Sequence, residues 1–365
     1  MQLNKSIKIF IGKILCFLTS KQAVVIIFIL ASLPHAVYTA PLTDIPSSTI
    51  ASPAIDKQLL AHASNHIDDT PHAVPRIHTE GTLPHQDIWE QSVLAKRDFP
   101  LMRDAAVAWR MTGDIRYAKQ VDLFLEAWND VYVPSFNPID ETDFDAFIEA
   151  YRLTRDALSP KTREDTKHFL RTLATGYIAR IQTHSDSSKS PKSLTWINNW
   201  QSHRIKLIAL SAAALEDKAL MEQAHQLFLQ QISNNISPDG TVEDFKTRDA
   251  LHYVVYDLEP LTMSAIAAQT FDEDWFREKA SNGVTLANAI DWLVPYADGT
   301  KTHEEFTHSH VVFDKKRATA GIAGFSGLWD PKNAGLLFWQ VSQLDSYYVL
   351  LAQKLQPIEP NWLKF

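Results

Sequence analysis

From about residue 86 onward the chain alternates amphipathic stretches with short polar breaks. Apolar residues recur at three- and four-residue spacing, which predicts helices over 86–111, 115–132, 140–158, 159–183, 196–215, 218–236, 249–270, 274–296 and 333–355. The breaks carry turn chemistry. Thr112-Gly113-Asp114 ends one helix, and Pro134-Ser135-Phe136-Asn137-Pro138 is a turn by its proline content. Asp140 and Glu141 then stand where a helix N-terminus favours acids. Ser159-Pro160 opens the next helix with proline in the first turn. Residues 185–191 read as a flexible loop, and 235–246 as a break around Pro238-Asp239-Gly240. Residues 298–332 form a further break, with short strands expected where 305–313 partly alternates. Roughly nine helices of about 15–25 residues, joined by short loops, imply αα-hairpins. No period of about 34 or 40 residues stands out, which disfavours a classical solenoid. The fold class is all-α, with bundle, solenoid and toroid left open by periodicity.

Composition agrees. Glycine is 11 of 365 residues, well under the ~7% of ordinary chains, so propellers, jelly rolls and many-turned sandwiches lack the residues their turns need. The nearest approach to a phosphate-binding loop, Gly321-Ile322-Ala323-Gly324-Phe325-Ser326-Gly327, misses the required glycine spacing.

The N-terminus is a separate object. Residues 1–40 hold four lysines, no acid and no arginine, then the apolar run Ala23-Val24-Val25-Ile26-Ile27-Phe28-Ile29-Leu30. That order is a secretory signal peptide, and the run is short for a membrane span. The expected product is secreted or periplasmic, without stable membrane insertion. Residues 41–75, rich in Ser, Thr, Pro and His, read as an arm or linker before a domain spanning 76–365. The one cysteine, Cys16, lies in the leader, so the mature chain has no disulfide, thiol nucleophile or cysteine-held zinc. Loss of the leader moves the formal charge from -8 to -12, with 31 basic residues against 43 acidic. Such a surface repels nucleic acid and anionic lipid. A monomer is expected.

Two segments concentrate polar and aromatic residues. In Thr195-Trp196-Ile197-Asn198-Asn199-Trp200-Gln201-Ser202-His203-Arg204, Asn199 and His203 share a helix face and suit a carboxylate. The plain alternative is an asparagine N-cap followed by a core tryptophan and a surface histidine. In Arg248-Asp249-Ala250-Leu251-His252-Tyr253-Val254-Val255-Tyr256, His252 and Tyr256 share a face one turn after Arg248. Cation, imidazole and phenol on one stripe form an acid–base set; an ordinary amphipathic helix is the alternative. A third segment, Lys301-Thr302-His303-Glu304-Glu305-Phe306-Thr307-His308-Ser309-His310, has one residue too many for the HExxH zinc pattern. It reads as a polar rim, and no metal or cofactor is expected.

At these same places the chain resembles the alginate lyase family of polysaccharide lyases over roughly 78–315. The elements, in order, are Thr79-Glu80-Gly81-Thr82-Leu83-Pro84-His85, Thr112-Gly113-Asp114 with Tyr117-Ala118, Trp128, Asn137-Pro138-Ile139-Asp140-Glu141-Thr142, Asn198-Asn199, and Ala250-Leu251-His252-Tyr253 through Tyr256. The resemblance implies an incomplete α/α toroid, an anionic polysaccharide as partner, and β-elimination at a 1,4-linked uronate. It implies that Asn199, beside Asn198, neutralises the substrate carboxylate, that Tyr256 acts on the ring proton and the leaving oxygen, and that Arg248 assists. Better-known members have His after Asn-Asn; here Trp200 stands there, and His203 or His252 is offered instead. This departure points to a divergent branch that includes glucuronan-type lyases, which the His303–Glu305 stretch also fits. His85, His303 and Glu305 would then line the cleft. Trp196 and Trp200 are candidates for stacking on sugars.

The hardest step in such a reaction is stabilising the carbanion next to an anionic carboxylate. An acidic chain acting on a polyanion therefore requires a locally basic cleft, with Arg76, Lys96, Arg97, Arg204, Arg248 and Lys301 as candidates. The alternatives are a glycoside hydrolase on a related toroid and a non-catalytic exported polysaccharide-binding protein.

Overall fold

The computed structural model describes residues 53–186 and 194–365. The expected signal peptide and residues 187–191 of the expected loop lie outside them.

Fourteen α-helices are present among the described residues: α1 (Pro53–Asn65), α2 (Trp89–Lys96), α3 (Asp98–Thr112), α4 (Ile115–Val131), α5 (Phe144–Thr154), α6 (Pro160–Asp186), α7 (Asn199–Leu215), α8 (Lys218–Asn235), α9 (Glu243–Arg248), α10 (Leu251–Ala268), α11 (Leu286–Ala297), α12 (Val312–Thr319), α13 (Gly335–Leu344) and α14 (Val349–Leu355). Helices α3, α5, α7, α10 and α13 pack each on the next and make an inner arc. Helix α4 covers α3 and α5, α6 packs on α4 and α7, and α8 lies against α7. The result is an incomplete α/α toroid. Its arc ends, α3 and α13, are bridged by the turn Asn361–Lys364, which touches both; Arg103 there sits 4.6 Å over the Trp362 ring.

Burial explains the two layers. Helix α4 has one apolar stripe, Val121, Phe124, Leu125 and Trp128, and an open outer face. Helix α7 is buried nearly all round, which places it inside the ring. That burial extends to His203, Arg204 and Lys206, each no more than 4% exposed. Charged groups are rarely taken inside without a task or a partner.

Local chemistry sets the ends. Gly113 takes φ 70° and closes α3 with its N–H on the Trp109 carbonyl, a conformation favouring glycine. Asp114 then caps α4, and Ser159 caps α6 through the Thr162 N–H.

Several expectations change. The stretch 86–111 splits at Arg97, because Pro100 has no N–H and fits only the first turn of a new helix. The stretch 274–296 shortens to α11, which a reciprocal Thr285–Asn288 capping box starts. The stretch 333–355 breaks at Asp345, whose carboxylate caps the Tyr347 N–H. The break at 235–246 contains the start of α9. The short strands reduce, among the described residues, to isolated bridges, one of them between Glu304 and Leu328. Part of the expected arm is helix α1, which packs on α3 through buried Ala63.

Asp140 and Glu141 do more than favour a helix start, since α5 begins at Phe144. Asp140 accepts the Thr79 and Glu80 N–H groups at 2.7 and 2.8 Å and binds His78 at 2.9 Å, which pins the 78–80 segment. Glu141 is fully buried and accepts from Tyr132, Tyr177 and the Ser135 N–H. Two acids thus hold the loop that approaches α7.

Candidate active site

The α7 N-terminus carries the first cluster. Asn198 caps the helix, its Oδ1 accepting the Trp200 N–H at 3.1 Å. Asn199 is buried, and both its main-chain N–H and its Nδ2 donate to Asp244, at 2.8 and 2.9 Å. Burial pushes Asp244 up to about 6, against the pull of these donors and of Arg248. Its amide nitrogen committed this way, Asn199 organises a buried carboxylate.

One turn on, the His203 ring lies 4.4 Å from that of Tyr256, tilted by 50°. Lys206 donates to Thr142 Oγ1 at 2.9 Å, and that hydroxyl sits 2.9 Å from His203 Nδ1. Lysine only donates, so the hydroxyl is free to donate to Nδ1. No side chain among the described residues bonds the other nitrogen, Nε2, which is buried against the Tyr256 main chain. Burial, Lys206 and Lys96 hold His203 well below its ordinary range, although the Tyr256 main chain favours the charged form. His203 is therefore neutral and enclosed behind Tyr256.

His252 and Tyr256 line one cavity of about 610 Å³ together with Glu259, Glu305, Gly324 and Trp329. Burial, then the charge of Asp143, raises the Tyr256 phenol well above its ordinary value. Burial, then Arg317 and Arg248, lowers His252. Glu305 accepts the Leu251 and His252 N–H groups at 3.0 and 3.3 Å, the place where a carboxylate satisfies free donors at a helix start. Burial pushes both Glu259 and Glu305 up to about 7.

Arg248 ends α9, and the left-handed Asp249 and extended Ala250 separate it from α10, so it does not continue the His252–Tyr256 stripe as expected; its guanidinium stacks 3.9 Å over Tyr253. It pairs with Asp314 and, at 3.5 Å, with Asp244. Arg317, on α12, donates to the Tyr253 hydroxyl at 2.7 Å. No carboxylate pairs with Arg317 among the described residues, and its charge reaches His252 and Tyr256.

A second concavity, a groove of about 800 Å³, lies between α6 and α7 and is lined by Asn137, Arg180, His184, Trp196, Trp200 and Arg204. Trp196 does not offer a face for sugar here. His184 stacks on it at 4.1 Å and 6°, and the Arg204 guanidinium lies 3.9 Å over the same ring. Two groups so close over one centroid occupy opposite faces. Trp200 is half-buried on the groove wall.

Other expected cleft residues do not line these two concavities. His85 is 90% exposed and pairs with Glu90. His303 bonds the Asp249 carbonyl at 3.0 Å and packs on Phe245 and Tyr296. Lys301 is exposed, 5.5 Å over Tyr296. Of the basic candidates, Lys96 pairs with Asp143 at 3.1 Å. No three His, Cys, Asp or Glu gather as a metal site among the described residues. Sequence reasoning missed Thr142, Lys206, Asp244, Glu259 and Arg317. Lys206, three residues after His203, was open to a spacing argument; Arg317, in the run Lys315-Lys316-Arg317, reads as solvated surface.

The family model for alginate lyase matches residues 44–303. The fold is similar to that of an alginate lyase from Bacteroides ovatus, at 16% identity and a TM-score of 0.57, over 84% of this chain and 90% of that one. Alginate lyase A1-III from Sphingomonas species A1 aligns at 18% identity and 0.46, over 76% and 91%. A variant of alginate lyase A1-III complexed with tetrasaccharide aligns at 17% identity and 0.45, over 76% and 90%. No curated protein matches the chain by sequence. A family match over this much of the chain sets aside the hydrolase and non-catalytic alternatives. With a ring of helix hairpins and a cavity walled by phenol and imidazole, the chain belongs to the alginate lyase family and is a polysaccharide lyase.

Proposed function

We propose that the protein cleaves alginate or a related 1,4-linked polyuronate by β-elimination at the His252–Tyr256 cavity. One observation carries this reading: successive turns of α10 present a neutral imidazole and a protonated phenol to the same space. The imidazole takes the C5 proton. The C5–H electrons form the C4=C5 double bond while the C4–O4 bond breaks. The phenol then gives its proton to the departing O4, and the imidazolium returns a proton to the phenolate. Arg317 supplies positive charge beside the uronate carboxylate, since Arg248 is held by Asp244 and Asp314. His203 and Asn199 support the site from behind. The charged and then apolar N-terminus suggests that this chemistry takes place outside the cytoplasm.

The test is a panel of polymannuronate, polyguluronate and glucuronan, glucuronan being included because Trp200 replaces the more familiar His. An unsaturated, ultraviolet-absorbing product from at least one is expected. Tyr256→Phe should lower turnover by about 10²–10⁴-fold with the fold intact. Release of saturated sugars alone, or full activity in Tyr256→Phe, would overturn the reading.

A further inference from the structure

We propose that the groove between α6 and α7 is a second uronate-binding subsite, in which Arg204 and Arg180 receive a sugar carboxylate beside the Trp200 ring. The proposal rests on the lyase reading for the identity of the polymer. Arg204 is 4% exposed, yet no carboxylate pairs with it among the described residues. Nη1 donates to the Thr195 carbonyl at 2.6 Å and to Gln201 Oε1 at 3.1 Å, both neutral acceptors. Nε is buried with no partner. A desolvated guanidinium without a counter-ion is costly, and this one lines an open groove.

Three further features fit a uronate. The Trp196 ring, backed by His184, fixes the plane of the guanidinium and so presets it for a planar carboxylate. Arg180, exposed on α6 and without an ion-pair partner among the described residues, adds a second positive charge to the same wall. Burial and that charge push Arg204 down to about 10, and a bound anion would relieve both. Finally, Trp200 gives a half-buried aromatic wall for the apolar face of a sugar, its centroid 5.9 Å from the Arg204 guanidinium. The groove's volume lies within the range of small-ligand sites.

One helix and one loop contribute to the groove and to the residues that pack on Tyr256. Arg204 follows His203 on α7 and points about 100° away around the helix. Asn137 lines the groove, and Thr142 of the same loop holds His203. A uronate polymer long enough to reach both would find a basic place in the groove.

The test is calorimetric binding of defined oligouronates to the full chain carrying Tyr256→Phe, which keeps the ligand uncut. Adding Arg204→Gln is expected to weaken binding by about tenfold or more. Arg180→Ala, a surface change that keeps the question open if the Arg204 variant fails to fold, should weaken it by about threefold. Carboxyl-reduced, neutral oligosaccharides should bind alike to all these chains. Unchanged affinity in Arg180→Ala and in a folded Arg204→Gln overturns the subsite, as does an equal loss with the neutral ligands. Arginine-dependent binding in a chain that yields no unsaturated product from any polyuronate keeps the subsite and removes the lyase reading. Product without arginine-dependent binding does the reverse.

Discussion

Arg204 and Arg248 invite comparison because their settings begin alike. Each guanidinium lies 3.9 Å over an aromatic ring, Trp196 for one and Tyr253 for the other. Each belongs to a segment that sequence reading singles out as chemical. Their charge balance then diverges. Arg248 is clamped between Asp244 and Asp314, both fully buried. Arg204 has only a carbonyl and an amide oxygen. The first arrangement closes on itself and joins α9 to α12; the second leaves a positive charge facing a groove. Nearness to the candidate catalytic residues does not identify the arginine that meets substrate. The distribution of carboxylates is what separates the two.

The largest expected effect follows from breaking the closed arrangement. Arg248→Met should strand two buried acids and cost about 3–5 kcal/mol of stability, read as a large fall in melting temperature. Arg204→Met leaves no carboxylate behind, so its cost should be much smaller. Equal losses from the two variants would mean that the comparison has no energetic content.

A smaller effect sharpens the groove side. Gly176 on α6 packs so tightly on the Phe136 ring that an added Cβ would overlap it. Phe136 lines the groove with φ 58° and has little freedom to retreat. Gly176→Ala should cost about 1–3 kcal/mol through overpacking and raise KM with kcat nearly retained. A fall in kcat alone would place the groove apart from substrate binding.

The cavity side differs again, because acids rather than arginines line it. Glu259 stands at about 7, raised by burial. It is mostly protonated below that pH and ionised above it, where it repels a uronate. The raised value also means that its favourable contribution to stability is present at acid pH and is lost as pH rises through 7. The expected outcome is a fall in kcat/KM above pH 7 of about fivefold, matching ~1 kcal/mol for unit charges 4 Å apart in water. Glu259→Gln should make that limb shallower, leaving the part set by Glu305, which is raised to about 7 in the same cavity. On the acid side, the limb set by His252 should lie below the ordinary histidine value, because its pKa is lowered.

Much of this was readable in the chain. Helix positions followed from apolar spacing, and His252 with Tyr256 from their four-residue separation, because both depend on neighbours along one helix. The charge pairing was not readable. Asp244 reaches Asn199 from 45 positions away, and Thr142 reaches His203 from 61. Which arginine is neutralised depends on such long-range meetings, and a local pattern carries no trace of them. The same blindness hid the bond between His303 and the Asp249 carbonyl.

Lys301 gives the smallest expected effect and the cleanest check on that lesson. Its charge made it a candidate for a basic cleft, and by charge alone it equals Arg180. Its surroundings do not match: it is exposed beyond the end of α11, over Tyr296, in a cluster with His303 and apart from both concavities. A solvated lysine there adds little to the field in a groove lined by other helices, since salt screens exposed charges beyond about 8–10 Å. Lys301→Ala should change stability by no more than about 0.5 kcal/mol and leave KM for the polymer within about twofold at physiological ionic strength. Arg180→Ala, measured beside it, should give the larger shift. If Lys301→Ala gave the larger one, overall charge would matter more to this enzyme than the local pairing that separates Arg204 from Arg248.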